Sequence, residues 1–230
     1  MIISHEHKFI FLKTKKTAGT SIEIALSGLC GPDDILSPLT ETDEALREGV
    51  RGAQNWRRHS WWGSPQPLWK RRWRKFSPKD YGFYNHMPAA EVKVLLNDDA
   101  VWRSYFKFAF DRNPWDRQVS YYHHRYRGVG NPEPFEHFVR KGRNARLDNY
   151  DIYSLKGDVA VDFVGRYETL TEDLAKALGQ VGLTLESELP RAKGEFRKEK
   201  RPYREYYSDN TKRIVEDWYA REIKLLDYEF

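Results

Sequence analysis

The sequence has little sulfur and no long apolar run. Its 230 residues include one cysteine, Cys30, which cannot form an internal disulfide. No group of Cys and His residues has the spacing of a zinc site, so we expect neither a metal nor redox chemistry. The apolar runs are short, as at residues 9–12, and none approaches the roughly 18 to 20 residues that a membrane-spanning helix needs. We therefore expect no transmembrane segment.

The chain also lacks the features of an export signal and of a repeat protein. Residues 1–8 run directly into a strand pattern, without the apolar core and small-residue cleavage site of a signal peptide. There is no internal repeat and no long low-complexity tract, and the length fits one domain with a substantial core. These observations predict a single domain over residues 1–230 of a cytoplasmic protein. They carry no indication of its oligomeric state.

Positive charge is concentrated in two segments. The formal net charge is +5, which suits an anionic partner without identifying it. Residues 56–79 contain eight Lys or Arg and no acid, and residues 191–204 contain seven basic residues and two acids. Residues 55–79 form a Trp/Arg-rich insertion whose aromatic and cationic side chains suit sugar rings, acidic glycans, stacked bases or a membrane surface. An insertion whose tryptophans pack onto the domain is an equal alternative.

Three strand–turn–helix units follow one another along the chain. The strands are indicated by short apolar or alternating runs, and the helices by apolar spacing together with capping residues such as Asn113, Thr169 and Ser208. The predicted strands cover residues 8–13, 105–111 and 159–164, and the predicted helices cover residues 17–29, 89–96, 114–127, 169–182 and a segment after Ser208. Strands that alternate with helices indicate an α/β fold with a central, mainly parallel sheet flanked by helices.

The connection between the first strand and the first helix has the composition of an anion-binding loop. It is the segment Lys13-Thr14-Lys15-Lys16-Thr17-Ala18-Gly19-Thr20-Ser21. Ala18 and Gly19 allow close backbone approach, Thr17, Thr20 and Ser21 supply hydroxyl donors, and Lys13 and Lys16 supply positive charge. A Walker loop would need glycine in place of Ile10 and Lys15, so the motif of ATP-binding loops does not match. A plain polar connector is the alternative.

A second motif lies at residues 108–120, Phe-Ala-Phe-Asp-Arg-Asn-Pro-Trp-Asp-Arg-Gln-Val-Ser. Arg112 leaves the end of a predicted strand, and Ser120 lies about two turns into the next helix. A long guanidinium and a hydroxyl in these positions can close on one phosphate. A capped surface helix with an ordinary arginine explains either motif singly, but it explains poorly the presence of both in this order.

The two motifs together resemble those of PAPS-dependent sulfotransferases, where PAPS is 3′-phosphoadenosine-5′-phosphosulfate. The similarity is greatest to the carbohydrate and heparan sulfate 2-O-sulfotransferase types and their bacterial members, and residues 163–170 and 203–230 extend it over most of the chain. The resemblance implies a P-loop-NTPase-like three-layer fold, PAPS as donor and 3′-phosphoadenosine-5′-phosphate (PAP) as product.

The resemblance also implies roles for individual residues. Lys16 would contact the bridging oxygen and stabilise the leaving phosphate, while residues 17–21 would hold the 5′-phosphosulfate. Arg112 and Ser120 would anchor the 3′-phosphate. Residues 191–201 fall where such enzymes cover the nucleotide, so Arg197 and Arg201 are further candidates for this phosphate. A solvated basic face is the usual alternative for such a segment.

A transfer to a hydroxyl also needs a group that removes its proton. His86, in Tyr84-Asn85-His86-Met87-Pro88, lies between the two motifs, where the family's catalytic histidine occurs. A helix N-terminus just after it would favour the neutral ring that a base must have. The competing interpretation is that His86 only packs or caps. The other candidates are His59, His123 and His124.

Three functions are therefore compatible with the sequence. The leading one is a PAPS-dependent sulfotransferase that acts without a metal on a glycan or a small hydroxylated metabolite, with Lys16 and His86 as catalytic residues and no nucleic-acid partner. A nucleotide kinase is disfavoured by the missing Walker glycines and would need magnesium and ATP. A polyanion- or nucleic-acid-binding module that uses the Trp/Arg-rich insertion would show steep salt dependence and no turnover.

Overall fold

The computed structural model describes residues 1–47, 49–57, 82–185, 189 and 201–230. Within these ranges the strands are β1 (Ile2–Ser4), β2 (Phe9–Leu12), β3 (Ile35–Leu36), β4 (Phe106–Asp111), β5 (Ser154–Leu155), β6 (Asp158–Val159) and β7 (Phe163–Arg166). The α-helices are α1 (Gly19–Ser27), α2 (Glu41–Glu44), α3 (Ala89–Leu96), α4 (Asp99–Ser104), α5 (Pro114–Arg125), α6 (Phe135–Arg140), α7 (Leu170–Gly179), α8 (Asp209–Trp218) and α9 (Ala220–Leu226).

The central sheet has five strands in the order β3-β1-β2-β4-β7 among the described residues. Strands β2, β4 and β7 are parallel, with Phe9 opposite Phe106 and Phe108 opposite Phe163. Strand β1 runs antiparallel to both of its neighbours, β2 and β3. The short connection at residues 5–8 requires this direction, because only antiparallel strands can be joined by a tight turn. The predicted α/β class is confirmed, and the sheet is mixed with a parallel core.

Both faces of the sheet are covered by helices. Alternate residues of β2 point to opposite faces, so Phe9 and Phe11 join one core cluster while Ile10 and Leu12 join another. The first cluster also contains buried residues of α1 and α7, namely Ile22, Leu26, Leu174, Ala177 and Leu178. The second contains buried residues of α3 and α4, namely Ala89, Val92, Leu96 and Trp102. Coverage of both faces is the arrangement that parallel strands need.

The helix that follows β4 is fixed at its N-terminal end. Asn113 caps α5 by accepting hydrogen bonds from the backbone N–H groups of Trp115 and Asp116, at 3.1 and 3.4 Å. Pro114 occupies the first helical position, as predicted from the sequence. Aromatic residues of α5, α6 and the C-terminal segment form a third core cluster, which includes Trp115, Tyr122, Phe135, Phe138 and Tyr219. This packing holds the start of α5 at the end of β4.

Three predicted features are wrong in detail. The third sheet strand covers 163–166 instead of 159–164, because Asp158 and Val159 pair with residues 154–155 in a separate hairpin. Thr169 makes no capping hydrogen bond to α7; its hydroxyl donates to the Asp173 carboxylate at 2.9 Å. The last predicted helix is divided into α8 and α9. No helix in the described ranges is long and apolar enough to cross a bilayer.

Candidate active site

A cavity of about 650 Å³ lies at the carboxyl ends of the parallel strands. Its walls contain residues that directly follow β2, β4 and β7. Ten of the residues predicted from the sequence line it: Lys13, Lys16, Thr17, Ala18, Gly19, Thr20, Ser21, His86, Arg112 and Ser120. Three separate segments of the chain therefore converge here, at the position where open α/β sheets bind ligands.

The loop between β2 and α1 has an unusual backbone conformation. Lys16 and Ala18 both adopt the left-handed region, with φ of 65° and 57°. Non-glycine residues rarely do so, and such alternation is typical of nests, in which successive N–H groups converge on an anion. The Thr14 hydroxyl ties the loop to β4 by donating to the Phe110 carbonyl, and it lies 2.8 Å from the Thr17 hydroxyl.

Helix α1 begins at the cavity without a capping side chain. Ala18 is its N-cap residue and makes no side-chain hydrogen bond to the first turn. The positive end of the helix dipole is thus available to an anion. A Cβ atom on Gly19 would lie 2.7 Å from Cγ of Lys13 and 3.3 Å from the Thr14 carbonyl oxygen. Close packing therefore explains why glycine stands at this position.

The two predicted lysines differ in what their side chains do. The Lys13 ammonium points into the protein, where it lies 2.8 Å from a carboxylate oxygen of Glu23, and both side chains are almost completely buried. Arg47 contacts the other oxygen of Glu23 at 3.2 Å. Lys13 therefore lines the cavity while its charge is paired with Glu23. Lys16 lines the same cavity three residues further along the loop.

Arg112 joins the two halves of the cavity. Its Nε and one Nη donate to the same Asp116 carboxylate oxygen at 3.0 and 2.6 Å, and its other Nη donates to the Lys16 carbonyl at 3.3 Å. Its guanidinium lies over the Tyr167 ring, 4.1 Å from the centroid. A guanidinium has more N–H groups than these three contacts use, so Arg112 can still donate to an anion. Ser120 lines the cavity further along α5.

His86 is held in one orientation by the anion-binding loop. Its Nδ1 lies 3.0 Å from the Lys13 carbonyl oxygen, and its φ is 61°. Because a carbonyl oxygen only accepts hydrogen bonds, Nδ1 carries the hydrogen and the lone pair of the neutral ring is on Nε2. Burial, followed by the positive charge of Lys13, lowers the pKa of His86 to about 3. The ring is therefore neutral at neutral pH, for a reason other than the helix N-terminus expected from the sequence.

The remaining candidates are distributed as follows. His124 lines the cavity, whereas Nε2 of His123 lies 2.8 Å from the Tyr206 hydroxyl in the aromatic cluster. Arg201 is not brought to the cavity; its guanidinium lies over the Tyr206 ring, 3.8 Å from the centroid. His59, Arg197 and residues 58–79 of the Trp/Arg-rich insertion lie outside the described residues.

Three residues of the site were missed by sequence reasoning. Asp116 and Tyr167 contact Arg112, and Asn149 binds the loop at Lys15. The i,i+4 spacing of Arg112 and Asp116 on one helix is a signal that could have indicated their ion pair. The described part of the chain holds no group of three or more His, Cys, Asp or Glu side chains placed to bind a metal ion.

A parallel sheet core with an uncapped helix N-terminus and an arginine at its carboxyl edge defines an α/β protein with an anion-binding cavity. The chain belongs to the sulfotransferase family, whose model matches residues 1–229. It is therefore a transferase that moves a sulfuryl group. An uncharacterized protein of Archaeoglobus fulgidus is 37% identical to it over 101 residues, which cover 42% of this chain and 83% of that protein. No solved structure matches the sequence.

Proposed function

We propose that the protein transfers the sulfuryl group of PAPS to an acceptor hydroxyl and releases PAP, with His86 as the base. The observation that carries this proposal is the convergence of the anion-binding loop, Arg112, Ser120 and His86 on one cavity. Its volume of about 650 Å³ lies within the range of about 300 to 1,000 Å³ for small-molecule sites. We also propose that the fold is of the P-loop-like type.

The two ends of the cavity suit the two ends of such a nucleotide. The uncapped start of α1 and the hydroxyls of Thr17, Thr20 and Ser21 would bind the 5′-phosphosulfate. Lys16 would neutralise the charge that develops on the leaving phosphate. Arg112, already bound to the Lys16 carbonyl, would bind the 3′-phosphate together with Ser120. A ligand with anionic groups at both ends therefore fits the site better than one with a single phosphate.

The proposed chemical step needs one proton acceptor. His86 accepts the hydroxyl proton at Nε2 while the sulfuryl group passes from the bridging oxygen of PAPS to the acceptor oxygen. The Lys13 carbonyl stabilises the imidazolium that results, because it holds the Nδ1 hydrogen. Negative charge of a bound donor raises the pKa of His86 from its low value and makes the ring a stronger base when the donor is present.

The proposed donor is tested by thermal unfolding with nucleotides. PAP at about 100 times its dissociation constant is expected to add roughly 2.7 kcal/mol to the stability of the protein. For a chain of this size that corresponds to a rise in Tm of roughly 5 to 10 °C. AMP and adenosine 5′-phosphosulfate, which lack the 3′-phosphate, are expected to give smaller rises at equal concentration. No rise in Tm with PAP, or a larger rise with magnesium ATP, would overturn PAPS as the donor.

The protonation state of His86 is tested by NMR on the ligand-free protein. Because its pKa is about 3, we expect its ring signals to show the neutral Nδ1–H form without titrating over most of the acid range. Saturating PAP is expected to raise the pKa. The His86→Asn variant assigns the signals. A titration midpoint near the ordinary value of roughly 6.5 in the ligand-free protein would contradict the burial of the ring, and ring signals of the Nε2–H form would contradict the assigned tautomer.

A further inference from the structure

Asn149 makes contacts that connect the anion-binding loop to the end of β4. Its side-chain oxygen accepts the backbone N–H of Lys15 at 2.9 Å, and its side-chain nitrogen donates to the Lys15 carbonyl, also at 2.9 Å. The same nitrogen donates to the Asp111 carboxylate at 3.3 Å. Asn149 is completely buried. Its amide therefore uses its oxygen and both N–H groups on two segments that are distant in sequence.

The pairing with Lys15 restricts the loop where its conformation is least favourable. An amide that binds both polar groups of one residue fixes the orientation of its backbone, as a neighbouring strand would. Lys16 follows directly with φ of 65°, and Ala18 has φ of 57°. Such conformations persist only where the surrounding structure determines them. Asn149 is the buried side chain that provides this restraint at Lys15.

The contact with Asp111 aligns the loop with the other half of the cavity. Asp111 ends β4 and is completely buried. Its carboxylate accepts the backbone N–H of Arg112 at 2.8 Å and the Tyr153 hydroxyl at 2.9 Å, and it forms an ion pair with Arg117. The backbone of the loop and the backbone of Arg112 are therefore bound to the same small group of buried side chains.

We infer that Asn149 is a positioning residue that sets the shape of the anion-binding loop and its alignment with Arg112. This inference rests on the proposed function for the identity of the ligand. Asn149 is not among the described residues that line the cavity, so it acts through the backbone of Lys15 and does not touch the ligand. Loss of the Asn149 side chain is expected to weaken nucleotide binding more than a substitution elsewhere that lowers the stability of the protein by the same amount.

The test compares Asn149→Ala with Tyr153→Phe in the full-length protein. Both variants remove a hydrogen bond to Asp111, but only the first also removes the contacts with Lys15. We expect Asn149→Ala to weaken PAP binding, measured by calorimetry, by about tenfold or more, since the Lys15 backbone loses two hydrogen bonds. Hydrogen exchange in the peptide that contains residues 13–21 is expected to accelerate. In Tyr153→Phe both quantities are expected to stay within about twofold of wild type.

Each outcome bears on one of the two proposals. Equal PAP affinity and equal exchange in Asn149→Ala and wild type would overturn the positioning role, and so would equal losses in the two variants. A wild-type protein that does not bind PAP would overturn the proposed donor, while the exchange measurement would still test Asn149. If Asn149→Ala does not fold, Asn149→Ser is used with the same expectations and the same control.

Discussion

His86→Asn is expected to retain the PAP affinity of the wild-type protein and to lose about a hundredfold or more of its turnover. Asparagine is well suited to this test. It tolerates the left-handed backbone that His86 adopts, with φ of 61°, better than most residues. Its amide can donate to the Lys13 carbonyl in place of Nδ1. The substitution therefore keeps the hydrogen bond to Lys13 and removes the imidazole ring with Nε2, the atom that would accept the proton.

The measurement uses radiolabelled PAPS and the best acceptor from a panel of sugars, glycan fragments and hydroxylated metabolites, selected first with the wild-type enzyme. His123→Asn is the matched control, since His123 contacts Tyr206 in the aromatic cluster. We expect the control to keep its turnover. Undiminished turnover in His86→Asn would exclude His86 as the base and direct attention to His124, which lines the same cavity.

Arg112→Ala is expected to weaken binding of PAP by about a hundredfold and binding of adenosine 5′-phosphosulfate by only a few-fold. Hydrogen bonds to a charged group contribute about 1.5 to 3 kcal/mol each, and the two nucleotides differ only in the 3′-phosphate and the 5′-sulfate. The smaller loss of affinity, for adenosine 5′-phosphosulfate, comes from the contact between Arg112 and the Lys16 carbonyl, which supports the loop whichever nucleotide is bound. Isothermal titration with both nucleotides measures the difference.

Two variants calibrate this result. Arg112→Lys keeps the positive charge but lacks the planar guanidinium. Its affinity for PAP is therefore expected to lie between those of the wild-type protein and Arg112→Ala. Ser120→Ala removes one neutral hydrogen-bond donor and is expected to lower the affinity for PAP less than Arg112→Ala does. Equal losses for the two nucleotides in Arg112→Ala would show that Arg112 acts by holding the loop. The 3′-phosphate would then have to be bound elsewhere.

The parts of the fold with strong local signals were predictable from the sequence. Asn113 and Pro114 mark the start of α5 because capping and the fixed φ of proline act within one turn. The start of β7 was misplaced because residues 158–159 pair with residues 154–155, and the apolar run at 159–164 does not reveal where that hairpin ends and the sheet strand begins. Strand pairing depends on contacts that a short pattern does not specify.

The same limit applies to the site. The residues of the loop and Arg112 could be found because their types and order suit an anion. The burial of the Lys13 ammonium against Glu23 could not, since it depends on how α1 packs under the loop. Asn149 is separated from Lys15 by 134 residues and lies in no recognisable motif, so only the folded chain shows its contact.

The hydrogen bond between His86 and the Lys13 carbonyl has a further consequence. Lys13 is the first residue of the loop that would bind the donor, so the proposed base and the proposed donor site share one support. We expect a displacement of that loop to move the imidazole with it, which would preserve the spacing between Nε2 and a donor bound by the loop. Disorder of the loop would abolish donor binding and the positioning of His86 at the same time. A variant with a damaged loop would therefore show the same loss of turnover as a variant without His86.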